Sequence, residues 1–558
     1  MLKTLENELK TLLNKAILAV LPVSTGKKFD VEISLPKDKR FGNLSTNIAF
    51  QVAPILRNSP FNTAEKITKE LQNLLSLSKK DSWIESIDVV KPGFINITYS
   101  RKFLNKLIKI IADSPSKFKP HNIGRKKKVQ IEFVSANPTG PLSIAHGRQA
   151  VVGDVISRTL KTCGYNTTKE YFINDEGNQI DALGKSAMAR CLELQGKDFT
   201  LPEDGYQGEY LVDIVKDFIK RFGKESFDKK HLNVKKMLSV YTVKQIMDGI
   251  KKDLDDIDVS MDVWFSQKKM MRTDAVPRVI KKLKKKKLIF EEDGAVWFKS
   301  SVYGDDKDRV VVKSTGEYTY LAPDIAYHEN KIKRKFRKVI NIWGPDHHGY
   351  IPRINAAVRA LGAADDFLEV VIIQLATLFK NGKLVSMSTR KGQYITLRQL
   401  VHEVGPDVAR FFFLMRKTNS HLDFDLALAK KKSMDNPVYY IQYAHARICS
   451  ILQKQKEDVK RLPRCDFNQL NDAQEMALIY ALVEYPGAVE SAALSREPYF
   501  IVVYLRKVAE AFHSFYHSHR VLDDALAKTA ARIKLIKAAK NILHAGLNLL
   551  GVSSPTSM

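Results

Sequence analysis

The middle of this 558-residue chain is predicted to be α/β with a parallel sheet, flanked by an N-terminal α+β module and a C-terminal bundle of helices. Three observations predict it. Residues 129–134 form a short apolar, β-branched run that breaks at Asn137-Pro138-Thr139-Gly140-Pro141, and from Ser143 apolar residues recur at helical spacing. Two later stretches, KEYFINDEGNQI (169–180) and VINIWGPDHHGY (339–350), repeat this strand-to-turn plan. Beyond about residue 406 the strand signals stop, and apolar residues repeat at intervals of three and four.

Taken in order, the chain opens with an amphipathic helix (Leu2, Leu5, Leu9, Leu12, Ala16) rather than a secretory signal. Residues 31–35 alternate as a strand. Asn43 or Thr46 is placed to cap a helix carrying Ile48, Ala49, Val52 and Ala53. IDVVKPGFINITYS (87–100) reads as a hairpin about Pro92-Gly93. No acid–base cluster occurs here, so the expected task is binding or bracing. The basic run 125–128 marks the joint.

In the helix after Ser143, Ala150, Val151, Val155, Ile156 and Leu160 fall at helical spacing. Strand, tight loop and helix N-terminus together suit an anion, because free N–H groups and the helix dipole converge there. Gly140 permits close backbone approach, and His146 offers a hydrogen bond or a positive charge. The same turn also occurs in α/β folds that bind nothing. Asn174, Asp175 and Glu176 arrive at the carboxyl end of the next strand, where α/β sites lie. Residues from about 190 to 300 read as helical and charged; their lysine run (281, 282, 284–287) is either a solvated face or an RNA-backbone contact.

Tyr320, Asp324, Tyr327 and His328 cluster in residues 319–331, and on a helix the last three share a face. Asp346, His347 and His348 sit at the mouth of the strand 339–343. Zinc is disfavoured there, because adjacent histidines seldom chelate one ion. Residues 370–375 supply another apolar strand. The polar, glycine-bounded loop 381–397 carries Lys383, Arg390 and Lys391; such loops close on phosphates or are simply exposed.

Composition narrows the partners. Lys and Arg outnumber Asp and Glu by 90 to 62, for a net charge of +28, which favours a polyanion such as nucleic acid or reflects a lysine-rich proteome. No apolar run approaches the roughly 20 residues of a membrane span. Four scattered cysteines without a CxxC pair exclude the usual zinc spacing and suit a reducing cytoplasm.

These pieces combine. FGNLSTNIAF, KPGFINI, EFVSANPTGPLSIAHGR, EYFINDEGNQI, YQGEY, TYLAPDIAYH, IWGPDHHGY, SMSTRKG, FDLALA, NPVYYIQYAHAR and LNLLGV occur in order, and over nearly its whole length the chain resembles the arginyl-tRNA synthetases, a class I family. The resemblance implies an N-terminal tRNA-binding domain (1–118), a Rossmann-type catalytic domain (119–405) with a helical insertion at about 190–300, and an anticodon-binding helical domain (406–558). It implies a cytoplasmic monomer, free of the membrane, that takes ATP with Mg2+, L-arginine and its tRNA, without zinc. His146, Ser143, Arg390 and Lys391 are the implied catalytic groups. Thr139, Gly140, Pro141, Leu142, Ser143, His146, Met387 and Ser388 are expected around ATP. Glu132, Ser135, Asn137, Tyr320 and Asp324 are expected around arginine, with Asp324 on the guanidinium. Tyr439, Tyr443 and Arg447 are expected on RNA, although the residues alone read more readily as core and groove lining.

Two departures from the family pattern stand out. Its His-Val-Gly-His appears here as Ser143-Ile144-Ala145-His146, and its KMSKS loop as Ser386-Met387-Ser388-Thr389-Arg390, without either lysine. Arg390, Lys391 or Lys383 is the expected replacement charge. The alternative the departures raise is a catalytically silent tRNA-binding relative.

Overall fold

The computed structural model describes residues 2–22, 29–34, 36, 42–77, 83–223, 231–380, 383–384, 394–458 and 461–558. In the N-terminal module the strands Leu44–Thr46, Phe94–Tyr99 and Ile84–Val90 form an antiparallel sheet in that order. The helices Leu2–Val20, Ile48–Leu56 and Pro60–Leu77 accompany it. The expected strand at 31–35 reduces to one bridge, Ser34 with Ser45; Leu35 lies outside the described residues. The expected cap also differs. Asn43 instead accepts from the Tyr99 N–H, and the Thr46 hydroxyl accepts from Ile48 at 3.3 Å, while Asn47 takes the N-cap position without a side-chain bond.

Five parallel strands form the central sheet, in the order Leu368–Ile372, Lys338–Trp343, Lys128–Glu132, Asn166–Ile173, Val263–Ser266. Sequence order reverses on the two sides of Lys128–Glu132. The crevice between it and Lys338–Trp343 is thus the switch point at which doubly wound sheets bind ligands. Two short sheets flank this one: Ile289–Glu292, Ala295–Phe298 and Arg309–Val312; and Lys383–Leu384, Ala376–Lys380 and Leu422–Asp425.

Two sequence expectations are corrected here. The stretch 190–300 is not wholly helical, since it contains Val263–Ser266 and the Ile289–Glu292/Ala295–Phe298 hairpin. Strands also do not end at 406, because Leu422–Asp425 pairs parallel with Ala376–Lys380. Four-residue strands show only two alternations, too few to stand out among lysines or beside helices. After this strand the chain is helical: Pro437–Asp458, Ala473–Val483, Tyr485–Ser495, Tyr499–Ser518 and Leu526–Leu550.

The helix Ile144–Thr162 is buried on nearly every face. Two glycines allow this. A Cβ on Gly153 would lie 2.3 Å from the Phe133 ring, and one on Gly147 would lie 2.6 Å from Leu397 and 3.1 Å from Phe413. Buried Asp154 on the same helix accepts from Arg410 at 2.7 Å, Arg158 at 2.7 Å and Lys169 at 3.0 Å. Arg410 in turn donates to the carbonyls of Leu550 and Ile257, so one guanidinium joins the helix Ile144–Thr162, the residues just after the helix His231–Asp255, and the last helix. Burial works against the Asp154 charge, yet Arg410, Arg158 and Lys169 hold its carboxyl below the usual range. Asp154→Ala would strand Arg410 in the interior and is expected to cost about 3–5 kcal/mol in urea unfolding. A loss no larger than that from removing exposed Asp366, which pairs with Arg337 at the surface, would contradict this.

Candidate active site

At the end of Lys128–Glu132 the chain turns sharply through Val134 (φ 69°) and Ser135 (φ 38°). Left-handed backbone is costly for non-glycine residues, above all for a β-branched one, and must be held by its surroundings. Here the Ser135 hydroxyl does part of the holding. It donates to Glu132 at 3.3 Å and accepts from the Phe172 N–H at 3.1 Å.

Ser143 then caps the helix in a reciprocal arrangement with His146. The Ser143 Oγ accepts from the His146 N–H, and His146 Nδ1 accepts from the Ser143 N–H at 3.2 Å. A backbone N–H only donates, so Nδ1 carries no proton and Nε2 bears it. Burial lowers the imidazole to about 4. His146 is therefore a neutral hydrogen-bond donor. The turn opens on a cleft of about 840 Å³ lined by Asn137, Thr139, Gly140, Pro141, Ser143 and His146 on one side. Asn178, Asp181, Lys185, Tyr206, Tyr210 and Tyr394 are among the residues on the others. Asn137 donates to Gln179 at 2.6 Å across it.

Beside the turn, the switch point holds a dense polar network. Glu132 and Asn341 are register partners on adjacent strands. Fully buried Lys331 pairs with Glu132 and donates to Asn341 Oδ1 at 3.0 Å. The Tyr327 hydroxyl lies between Glu132 at 3.0 Å and Glu170 at 2.7 Å and shares its one proton between them, and Arg334 pairs with Glu170. His328 donates from Nδ1 to the Asp324 carbonyl at 2.8 Å and accepts from Asn341 at Nε2. Burial, with Lys331 nearby, pushes His328 down to about 3, so it too is neutral. Asp324 is the exception. Among the described residues no cation pairs with it; its carboxylate accepts only from the Tyr350 hydroxyl, at 2.6 Å. Burial raises it to about 6 despite that bond. An acid so placed, next to acids already neutralised, favours a cationic ligand.

The sequence comparisons agree with this chemistry. The sequence models of three domains match the chain: arginyl tRNA synthetase N terminal domain at residues 4–99, tRNA synthetases class I (R), catalytic domain at 109–423, and DALR anticodon binding domain at 441–558. Arginine–tRNA ligase of Oleidesulfovibrio alaskensis is 44% identical over 99% of this chain and 100% of its own length. That of Bacillus subtilis is 41% identical over 99% and 98%. The chain belongs to the arginyl-tRNA synthetases. Thermus thermophilus arginyl-tRNA synthetase shares the fold, with a TM-score of 0.77 at 19% identity over 99% of this chain and 100% of that one.

The positions expected from the synthetase motifs divide into five groups. Thr139, Gly140, Pro141, Ser143, His146 and Asn137 share the cleft, and Glu132, Ser135 and Asp324 sit in or beside the polar network. The Leu142 side chain is fully buried in the core and its carbonyl accepts from Leu397 at 2.8 Å, so its backbone N–H is the group it offers to the turn. Tyr320 is not brought in, being 75% exposed at the start of the helix Leu321–Lys333. Met387, Ser388, Arg390 and Lys391 lie outside the described residues, as does the side chain of Lys383. On the helical domain Tyr439 and Tyr443 stack at 6.3 Å, and Arg447, one turn on, donates to the Tyr516 hydroxyl.

Sequence reasoning missed Lys331, Tyr350 and Asn341. Lys331 falls seven residues after Asp324 on one helix face, a spacing that was available; Tyr350 and Asn341 reach the site only through the fold. At the zinc-disfavoured turn Asp346 and His347 come within 3.5 Å, both exposed. Among the described residues the three potential metal ligands that converge are Asp472, Glu475 and His519, and Arg532 already faces both carboxylates.

Because a guanidinium pairs with the carboxylate and not the acid, arginine affinity is expected to fall as pH drops through about 6, roughly tenfold per unit below it. Tyr350 donates to the charged form and so lowers this midpoint. Tyr350→Phe should move it upward. A pH profile of the arginine KM measures both; an unchanged midpoint in the variant would contradict the assignment.

Proposed function

We propose that this protein activates L-arginine with ATP to arginyl-adenylate and transfers the arginyl group to the 3′ end of its tRNA, releasing AMP and diphosphate. The observation that carries the reading is Asp324, a half-buried residue whose carboxylate pairs with no cation among the described residues, set beside a capped turn that opens on a nucleotide-sized cleft in a chain of this family. The guanidinium of arginine supplies the missing partner. Ser135 links this pocket to the turn, so the substrate carboxylate and the ATP α-phosphate meet at Ser135–Asn137. In-line attack then needs positioning more than covalent catalysis. His146 Nε2–H and the helix N-terminus offer neutral donors to the phosphates, which enter as the Mg2+ complex of ATP, a substrate.

Ser143 replaces the first histidine of the family motif yet caps the helix and orients His146. This supports an active enzyme over a silent one. Residues 1–118 and 406–558 are assigned to tRNA, with half-buried Tyr439 and Tyr443 and exposed Arg447 along one edge of their helix toward RNA. Charge on the loop comes from Arg390, Lys391 or Lys383. The reading includes a cytoplasmic monomer; free Cys163, Cys191, Cys449 and Cys465 suit a reducing compartment, and no described helix is long and apolar enough to cross a membrane.

Pure protein with ATP, labelled arginine and total tRNA is expected to yield arginyl-tRNA, and none with lysine or glutamine. Asp324→Ala should lower kcat/KM for arginine by about two to four orders of magnitude, the equivalent of losing a buried charge partner. tRNA binding without charging would establish the silent reading instead. Alanine at Arg390, Lys391 and Lys383 is expected to slow arginine-dependent ATP–diphosphate exchange in at least one variant; full rates in all three would refute their assigned role.

A further inference from the structure

Three tyrosine hydroxyls hold the backbone between the Lys128–Glu132 strand and the Ile144–Thr162 helix. Tyr171 donates to the Ala136 carbonyl at 2.7 Å, Tyr394 to the Pro141 carbonyl at 2.8 Å, and Tyr210 to the Thr139 carbonyl. They come from three separate places: the neighbouring strand, the start of the helix Tyr210–Phe222, and the segment entering the helix Leu397–Val404. Tyr171 is fully buried, whereas Tyr210 and Tyr394 line the cleft itself.

Two prolines remove two N–H groups from this turn, and outside donors pair the Ala136, Thr139 and Pro141 carbonyls instead. In a trans peptide the C=O and the following N–H point in opposite directions. Fixing the Thr139 and Pro141 carbonyls therefore fixes the N–H groups of Gly140 and Leu142, and these have no acceptor among the described residues. The Tyr210 ring also backs Gly140, where a Cβ would lie 3.3 Å from it. The Tyr394 segment is stitched to the turn by the antiparallel bridge of Thr396 with Ser143 and by the Leu397 N–H on the Leu142 carbonyl at 2.8 Å.

We propose that Tyr210 and Tyr394 are positioning residues for the nucleotide triphosphate. Their hydroxyls hold the turn in the shape that presents the Gly140 and Leu142 N–H groups, with His146, to the phosphates. The proposal rests on reading the cleft as the ATP site. Neither phenol touches the reacting atoms; both act through the backbone, and neither is hydrogen-bonded to Asp324 or to its partner Tyr350.

Tyr210→Phe and Tyr394→Phe each remove one oxygen and keep the ring. In arginine-dependent exchange of diphosphate with ATP, with tRNA present, each variant is expected to raise the KM for ATP about threefold to tenfold, and the double variant more. The KM for arginine and the thermal midpoint should stay at wild-type values. A merely structural role would instead move both KM values and the thermal midpoint together. Direct catalysis by a phenol would lower kcat at constant KM. Either pattern, or a wild-type KM for ATP in both variants and their combination, overturns the proposal. Wild-type protein silent in this assay would overturn the ATP-site reading, and the proposal with it.

Discussion

The site is built around an imbalance of buried charge. Among the described residues Glu132, Glu170 and Asp324 meet two cations in ion pairs, Lys331 and Arg334, and both are spent on the glutamates. Burying an unpaired carboxylate is expensive, and the protein limits the cost by letting Asp324 rise toward neutrality while Tyr350 steadies its charged form. A ligand that brings the missing positive charge recovers that cost on binding. A neutral ligand of the same shape does not, so the imbalance is itself a device for selecting cations. The glutamates play a different part: with Lys331, Asn341 and Tyr327 they lock three sheet strands and the Leu321–Lys333 helix into one frame, and Asp324 is aimed by that frame.

The helix Ile144–Thr162 carries the second constraint. Its first turn faces the cleft through Ser143 and His146, while its later turns are gripped from all sides. Arg148, fully buried, donates to the carbonyls of Gln374, Ser420 and Lys417 at 2.7–2.9 Å, and burial lowers it to about 10. Through these contacts the helix holds the base of the Ala376–Lys380 strand, and through Asp154 and Arg410 it holds the end of the last helix. A rod this well anchored presents a fixed N-terminus, the condition under which weak neutral donors are effective toward phosphate.

Much of this was legible in the sequence because it is local. Period and punctuation located the first strand, the turn and the helix, and Ser143 is a natural N-cap. The helical face shared by Asp324, Tyr327 and His328 follows from spacing alone. What escaped was non-local or short. Tyr350 reaches Asp324 across 26 positions, Lys331 reaches Glu132 across 199, and no pattern in one sequence announces such pairs. Leu142 reads as part of a binding loop by position, and its apolar side chain, between a proline and a cap, turns inward so that only its backbone faces the turn. Tyr320 precedes the helix that carries Asp324, and one step outside the helical register leaves it in solvent. The strand Leu422–Asp425 is too brief to signal itself, and only its pairing with Ala376–Lys380 defines it.

At the centre of the account is a claim about place: the guanidinium of arginine on the Asp324 carboxylate, and nucleotide phosphates against the Ser143–His146 turn. Co-crystallisation with arginine and a non-hydrolysable ATP analogue tests it most directly. The account predicts a bidentate guanidinium on Asp324, with phosphate oxygens within hydrogen-bond reach of His146 Nε2. Density for either molecule away from these groups, or arginine bound through its α-amino group at Asp324, would contradict it.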